Sequence, residues 1–150
     1  MLNFKNILCP IDFSEPSTEG LQYAIDLAAQ FKAELSIVHI LPVMPALPPD
    51  PNFVFKVPEY ERALHQEAEK KLQALAEEWV PREIRAQTIL GHGDAGNQIV
   101  RIAEEQRADL IVITTHGQSG WRHLVFGSVV ERVVRTASCP VLTIRAPRRQ

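Results

Sequence analysis

The sequence predicts an α/β domain built on an open parallel sheet, and three observations carry that prediction. Strand-like and helix-like segments alternate along the chain in the order β-α-β-α-β-α-β-α-β. The best-defined strand, Asp109-Leu110-Ile111-Val112-Ile113-Thr114, is a continuous apolar run, too unbroken for a half-exposed strand and too short for a helix, as expected of a strand covered on both faces. Two glycines separated by nine residues, Gly117 and Gly127, then stand between the carboxyl end of that strand and a helix carrying Val130, Val133, Val134 and Ala137 at helical spacing. Open α/β sheets bind ligands in the crevice outside such strand ends.

Each element has its own local signal. Lys5 to Asp12 opens with a short apolar strand ending at an acidic residue; Ser14 then offers an N-cap, with Pro16 in the first turn of a helix whose buried face is Leu21, Ala24, Ile25, Ala28 and Phe31. Ala33 to Leu41 contains the second strand, completing a βαβ unit, a crossover that is almost always right-handed. Pro42 to Pro58 holds six of the eleven prolines together with Phe53 and Phe55. It reads as a loose connector or as a lid that folds its aromatics over a bound base. Glu59 to Val80 resumes a helix, striped by Leu64, Ala68, Leu72, Leu75, Ala76 and Trp79, with Glu67 and Lys71 placed as an i,i+4 pair. Glu83 to Leu90 reads as the third strand. Asp94 caps a helix running to about Gln106 with Ile99, Ile102 and Ala103 inward, and Pro140 starts a fifth strand through Arg145.

Composition narrows the class. A chain of 150 residues fits one domain, 1–150, able to bury about 70% of its unfolded surface. With 45% apolar and 23% charged residues it is an ordinary globular composition, and a net charge of −2 argues against bulk binding of nucleic acid or an anionic membrane. No apolar run approaches the roughly 20 residues that span a bilayer, and the first residues lack a signal-peptide pattern, so a cytoplasmic location is expected. Cys9 and Cys139 have no Cys-x-x-Cys spacing and read as reduced, packed thiols.

Several motifs compete for the chemistry. Gly91-His92-Gly93-Asp94-Ala95-Gly96 fits the dinucleotide pattern G-x-G-x-x-G after a strand and before a helix. That fingerprint also needs an acidic residue at the carboxyl end of the following strand, whereas Asp109 precedes its strand and should lie at the opposite edge. The motif therefore reads as a tight strand-to-helix turn. A Walker A loop, a zinc-binding histidine spacing and a Gly-x-Ser-x-Gly elbow are all absent. Gly127-Ser128 has the better physical case. Glycine lets backbone approach a ligand, and the helix after it presents unpaired N–H groups to an anion such as phosphate. Ser128-x-x-Glu131 is also a capping-box pattern, so Ser128 can cap its own helix; the two roles are compatible.

At this point the sequence resembles the universal stress protein family over nearly its whole length. Pro10-Ile11-Asp12-Phe13-Ser14 is similar to the family's first-strand signature, Val38-His39-Ile40 to its second and Ala108-Asp109-Leu110-Ile111-Val112 to its fourth. The nucleotide-binding branch carries G-2x-G-9x-G-[S/T]; here Thr114-Thr115-His116-Gly117, nine residues, then Gly127-Ser128 match it, with Thr114 in the first glycine's place. The resemblance implies an open five-stranded parallel sheet in the order 3-2-1-4-5 with helices on both faces, and ATP over the carboxyl ends of strands one and four. By position, Asp12 would contact ribose or base, Pro10 and Ile40 would line the adenine pocket, and Gly117, Gly127, Ser128 and Val129 would cradle phosphates. Thr114 could crowd the ligand or turn its hydroxyl away. The resemblance also implies a homodimer through the fifth strand, Val141 to Ile144, an edge that would be a liability if left bare.

The function expected is that of a stress-responsive, ATP-binding regulatory module rather than a fast enzyme. Asp12 is the only carboxylate placed at the cleft, and no second acid is evident to hold a magnesium ion that would accompany ATP. One rival is a slow ATPase or phosphotransferase using His116, Arg122 or His123; another is a nucleotide-free interaction protein of the same fold.

Overall fold

The structure is a computed structural model and describes residues 1–43, 57–115 and 127–145. Strands and helices alternate: β1 (Asn6–Pro10), α1 (Glu15–Phe31), β2 (Glu34–Leu41), α2 (Val57–Trp79), β3 (Ala86–His92), α3 (Ala95–Glu105), β4 (Leu110–Thr114), α4 (Ser128–Thr136) and β5 (Val141–Ile144). The strands form one parallel sheet in the order β3-β2-β1-β4-β5. The chain winds outward from β1 through β2 to β3, then crosses back to β4. The carboxyl ends of β1 and β4 therefore flank the topological switch point, where an open sheet leaves a crevice.

The period of two along each strand sorts the core onto two faces. Ile7, Cys9, Leu35, Ile37, Leu110 and Val112 meet Leu21, Ala24, Ile25 and Ala28 of α1 and Leu72 of α2. Leu8, Val38, Ile111 and Ile113 meet Ile99 and Ile102 of α3 and Val130 and Val133 of α4 on the other face. Both sides of β4 are buried, which explains its unbroken apolar run. Burial pushes the Cys9 thiol up to about 12, and the half-buried Cys139 thiol is raised by the same cause; both are free.

Helix starts follow the expected chemistry. Ser14 caps α1, its side chain accepting from the Ser17 amide, with a proline in the first turn. Asp94 caps α3 by accepting from the Asn97 amide at 3.0 Å. Asp109 lies at the amino-terminal edge of the sheet, where its carboxylate accepts the Lys5 and Asn6 amides at 2.7 and 2.9 Å and pins the start of β1.

Five local expectations are corrected. β3 runs from Ala86 to His92 rather than from Glu83 to Leu90, because Pro81 to Ile84 closes a turn and the ladder with β2 continues to Ile40↔Gly91 and Leu41↔His92. β1 ends at Pro10, two residues short of Asp12. Val57 and Pro58 belong to α2, although the rest of the proline-rich stretch from 44 to 56 lies outside the described residues. Trp79, the last residue of α2, and Val134, near the end of α4, expected inward, are 37% and 49% exposed. Lys71 does not pair with Glu67; its Nζ sits 4.5 Å from the centre of the Phe13 ring.

Candidate functional site

The carboxyl ends of β1, β2 and β4 and the starts of α3 and α4 enclose a cavity of about 300 Å³. Seven of the eight residues singled out from the sequence line it: Pro10, Asp12, Ile40, Thr114, Gly127, Ser128 and Val129. The eighth, Gly117, lies outside the described residues, as do His116, Arg122 and His123. Elements distant in sequence thus converge at the switch point, with apolar walls from Ile40, Ile99 and Ile113 and a polar rim from Asp12 and Ser128. Pockets of this kind bind small organic ligands by burying apolar area and orienting a few polar groups.

Asp12 is held in place before any ligand arrives. Its Oδ1 accepts the Ser14 amide at 3.0 Å and also the Ser14 hydroxyl, while its own amide donates to Ser17 Oγ at 3.4 Å. The chain turns sharply just after it, Phe13 having φ 63°. Phe13 is kept there by His39, whose ring centre is 4.6 Å away, and by Lys71. His39 Nδ1 stands 2.7 Å from the Ile11 carbonyl, an acceptor, so this nitrogen carries the hydrogen.

The opposite wall is the start of α4. Its N-cap is Gly127, in extended conformation, and Ser128 is the first helical residue. The capping-box expectation for Ser128 is therefore corrected: Glu131 instead pairs with Arg135 at 2.7 Å. The first backbone bond of the helix joins the Glu131 amide to the Gly127 carbonyl, so the amides of Ser128, Val129 and Val130 precede the intrahelical ladder. Gly127 N–H donates to the Thr115 carbonyl at 3.0 Å, which fixes the start of α4 against the end of β4. Hence this helix amino end, with its partial positive charge, faces the cavity.

Thr114 fits this wall through a partner on α1. A Cβ added at Gly20 would lie 2.7 Å from Thr114 Cγ2, so the threonine methyl occupies room that a glycine in α1 vacates. The branched side chain is accommodated by the helix behind it, and Thr114 is buried at 7% exposure.

The G-x-G-x-x-G stretch serves packing. Gly91 lies under Ile40, where a Cβ would come 2.6 Å from Ile40 Cδ1, and Gly93 adopts φ 120°, a conformation that side chains disfavour. Gly96 abuts Arg132, whose Cγ and Cβ would lie 2.7 and 2.8 Å from an added Cβ. The motif begins on the edge strand β3 and runs into α3, while Asp109 stands at the far end of the sheet, so the acidic partner that a dinucleotide site needs is not beside it.

Sequence reasoning missed Ser17, His39, Ala95, Ile99 and Thr115, which also line the cavity. His39 and Thr115 adjoin residues already singled out and were within reach of the same signal. Ala95 and Ile99 are not, because only tertiary packing brings the first turns of α3 to the crevice.

Fold and cleft together define a doubly wound α/β protein with a cavity at its switch point. Residues 3–145 match the model of the universal stress protein family, and the chain belongs to that family. It is 36% identical to universal stress protein MJ0531 of Methanocaldococcus jannaschii over 149 residues, covering 98% of this chain and 85% of the relative. Among solved structures, MJ0577 superposes with a TM-score of 0.82 at 24% identity, covering 99% of this chain and 100% of the other. A universal stress protein from Archaeoglobus fulgidus in complex with dAMP superposes with a TM-score of 0.64 at 22% identity, covering 95% and 98%. Another universal stress protein, in complex with cAMP, gives 0.61 at 23% identity, covering 96% and 98%.

Proposed function

We propose that this protein is an ATP-binding regulatory module of the stress response, in which nucleotide occupancy changes shape or partner choice. The observation that carries the reading is Gly127. Among the described residues a Cβ there would meet only the Thr115 carbonyl oxygen, at an ordinary 3.6 Å, so their packing does not require a glycine at this position. Leaving the side chain out keeps the start of α4 open to a ligand, and phosphate is the group that a helix amino end and its amides favour. The solved universal stress proteins in complex with dAMP and cAMP support an adenine nucleotide as the ligand class.

In this reading Pro10 and Ile40 flank the adenine, Asp12 takes the ribose hydroxyls, and Gly127, Ser128 and Val129, with Gly117, hold the phosphates. Thr114 shapes the floor and, backed by Gly20, leaves room for the ligand. Asp12 is the only carboxylate among the described residues lining the cavity, so magnesium would arrive with the nucleotide and be held chiefly by its phosphates. The protein acts as a homodimer joined along β5, a reading supported by the exposed apolar side chains Leu142 on that edge strand and Val134 on α4. The buried free thiol of Cys9 suits a reducing compartment such as the cytoplasm. Titrating ATP into nucleotide-stripped protein tests the assignment: saturable binding is expected, and no binding at millimolar ATP would sink it.

A further inference from the structure

Away from the cleft, α2 and β3 bring two histidines together that lie 27 residues apart in sequence. His65 is half-buried on α2, and His92 is exposed as the last residue of β3. Nδ1 of His65 stands 3.3 Å from Nε2 of His92, with the ring planes 5° from parallel and the centroids 5.2 Å apart. In the metal-free pair one nitrogen donates to the other. Two imidazole nitrogens on one tetrahedral zinc, each about 2.0–2.1 Å from the metal, stand about 3.3 Å apart. The pair is already spaced as two ligands of such an ion.

We propose that His65 and His92 form a binding site for a d-block dication of the zinc, nickel or copper type, held by the two facing nitrogens with water completing its coordination. Imidazole nitrogen selects these ions over magnesium and calcium, which prefer oxygen donors. The site is therefore chemically distinct from any magnesium that accompanies a nucleotide. Binding requires the donor ring to carry its proton on its other nitrogen, so that both facing atoms present lone pairs. Among the described residues no third histidine, cysteine or carboxylate joins the two. This makes the site open and exchangeable, unlike the closed four-ligand shell of a structural zinc. Its occupancy clamps α2 to the edge strand β3. Gly91, which precedes His92, is the residue against which Ile40 packs, so the clamp adjoins one wall of the cleft.

The test uses the full chain after treatment with a chelator. Zinc or nickel chloride should bind one per chain in a calorimetric titration and raise Tm through linkage, while magnesium chloride should not. His65→Gln and His92→Gln should each weaken zinc binding at least about tenfold, and the double variant should be little worse than either single one. In nitrogen-15 NMR of the wild type, zinc should shift His65 Nδ1 and His92 Nε2 before any other imidazole nitrogen, a readout that does not depend on either variant folding. Zinc binding that survives both substitutions, resonance shifts at other histidines, or no binding at about 100 μM zinc would each overturn the proposal.

Discussion

Two strand-to-helix junctions of this protein use glycine in the same sequence language and to opposite ends. The junction from β3 to α3, Gly91 to Gly96, carries the familiar nucleotide pattern, yet Gly91 and Gly96 each sit where a Cβ would strike a neighbouring side chain at under 3 Å. The junction from β4 to α4 matches a less familiar pattern; a Cβ at its Gly127 would make only an ordinary 3.6 Å contact among the described residues, and its φ is −68°. Glycine at the first junction is demanded by the protein. At the second, the described fold leaves it optional, which frees it to serve a ligand. A motif therefore gains functional weight when its glycine is not needed for packing and faces a cavity at the switch point.

Substitutions can break or sharpen that contrast. Gly96→Ala should cost the most, about 2–3 kcal/mol, because the intruding methyl meets Arg132 at Cβ, close to its backbone, where a rotamer change gives little relief. Urea unfolding at constant m-value would read it. Gly20→Ala should cost about 1–2 kcal/mol, the clash with Thr114 Cγ2 being offset in part by alanine's better helix propensity. Adding Thr114→Ser, which removes that methyl, should restore most of the loss; simple additivity in the double-mutant cycle would show that the two do not share the space. Gly91→Ala should cost about 1 kcal/mol, since the flexible ends of Ile40 and Ile102 can yield. Ile40 then moves at the cavity wall, so nucleotide affinity should fall along with stability. Gly127→Ala should cost the least, under about 1 kcal/mol, through alanine's poorer fit at an N-cap rather than any clash.

Much of this was legible in the sequence because periodicity reports which faces are buried. The nine elements of the described residues and their types follow from apolar spacing, and Ser14 and Asp94 cap as their chemistry requires. What spacing could not give depends on partners. The extension of β3 through Gly91 and His92 is a backbone ladder with β2 that no side-chain pattern announces. Ser128-x-x-Glu131 satisfies a capping box on paper, but Gly127 takes the cap and Glu131 turns to Arg135. At its motif position Thr114 reads as an obstruction, yet Gly20, 94 residues earlier, stands opposite its methyl and leaves it room. The cleft was traceable through Pro10, Asp12, Ile40, Thr114, Gly127, Ser128 and Val129, while Ala95 and Ile99 enter it only through the packing of α3.

The central claim, that Gly127 is kept for a nucleotide and not for the fold, is tested most directly by titrating ATP calorimetrically into nucleotide-stripped wild type and Gly127→Ala while recording Tm for both. The account predicts saturable binding to the wild type, affinity at least about tenfold weaker in the variant, equivalent to about 1.4 kcal/mol, and only a small fall in Tm without nucleotide, from the N-cap change. Equal ATP affinity in the two proteins, or a large fall in the variant's ligand-free Tm, would contradict it.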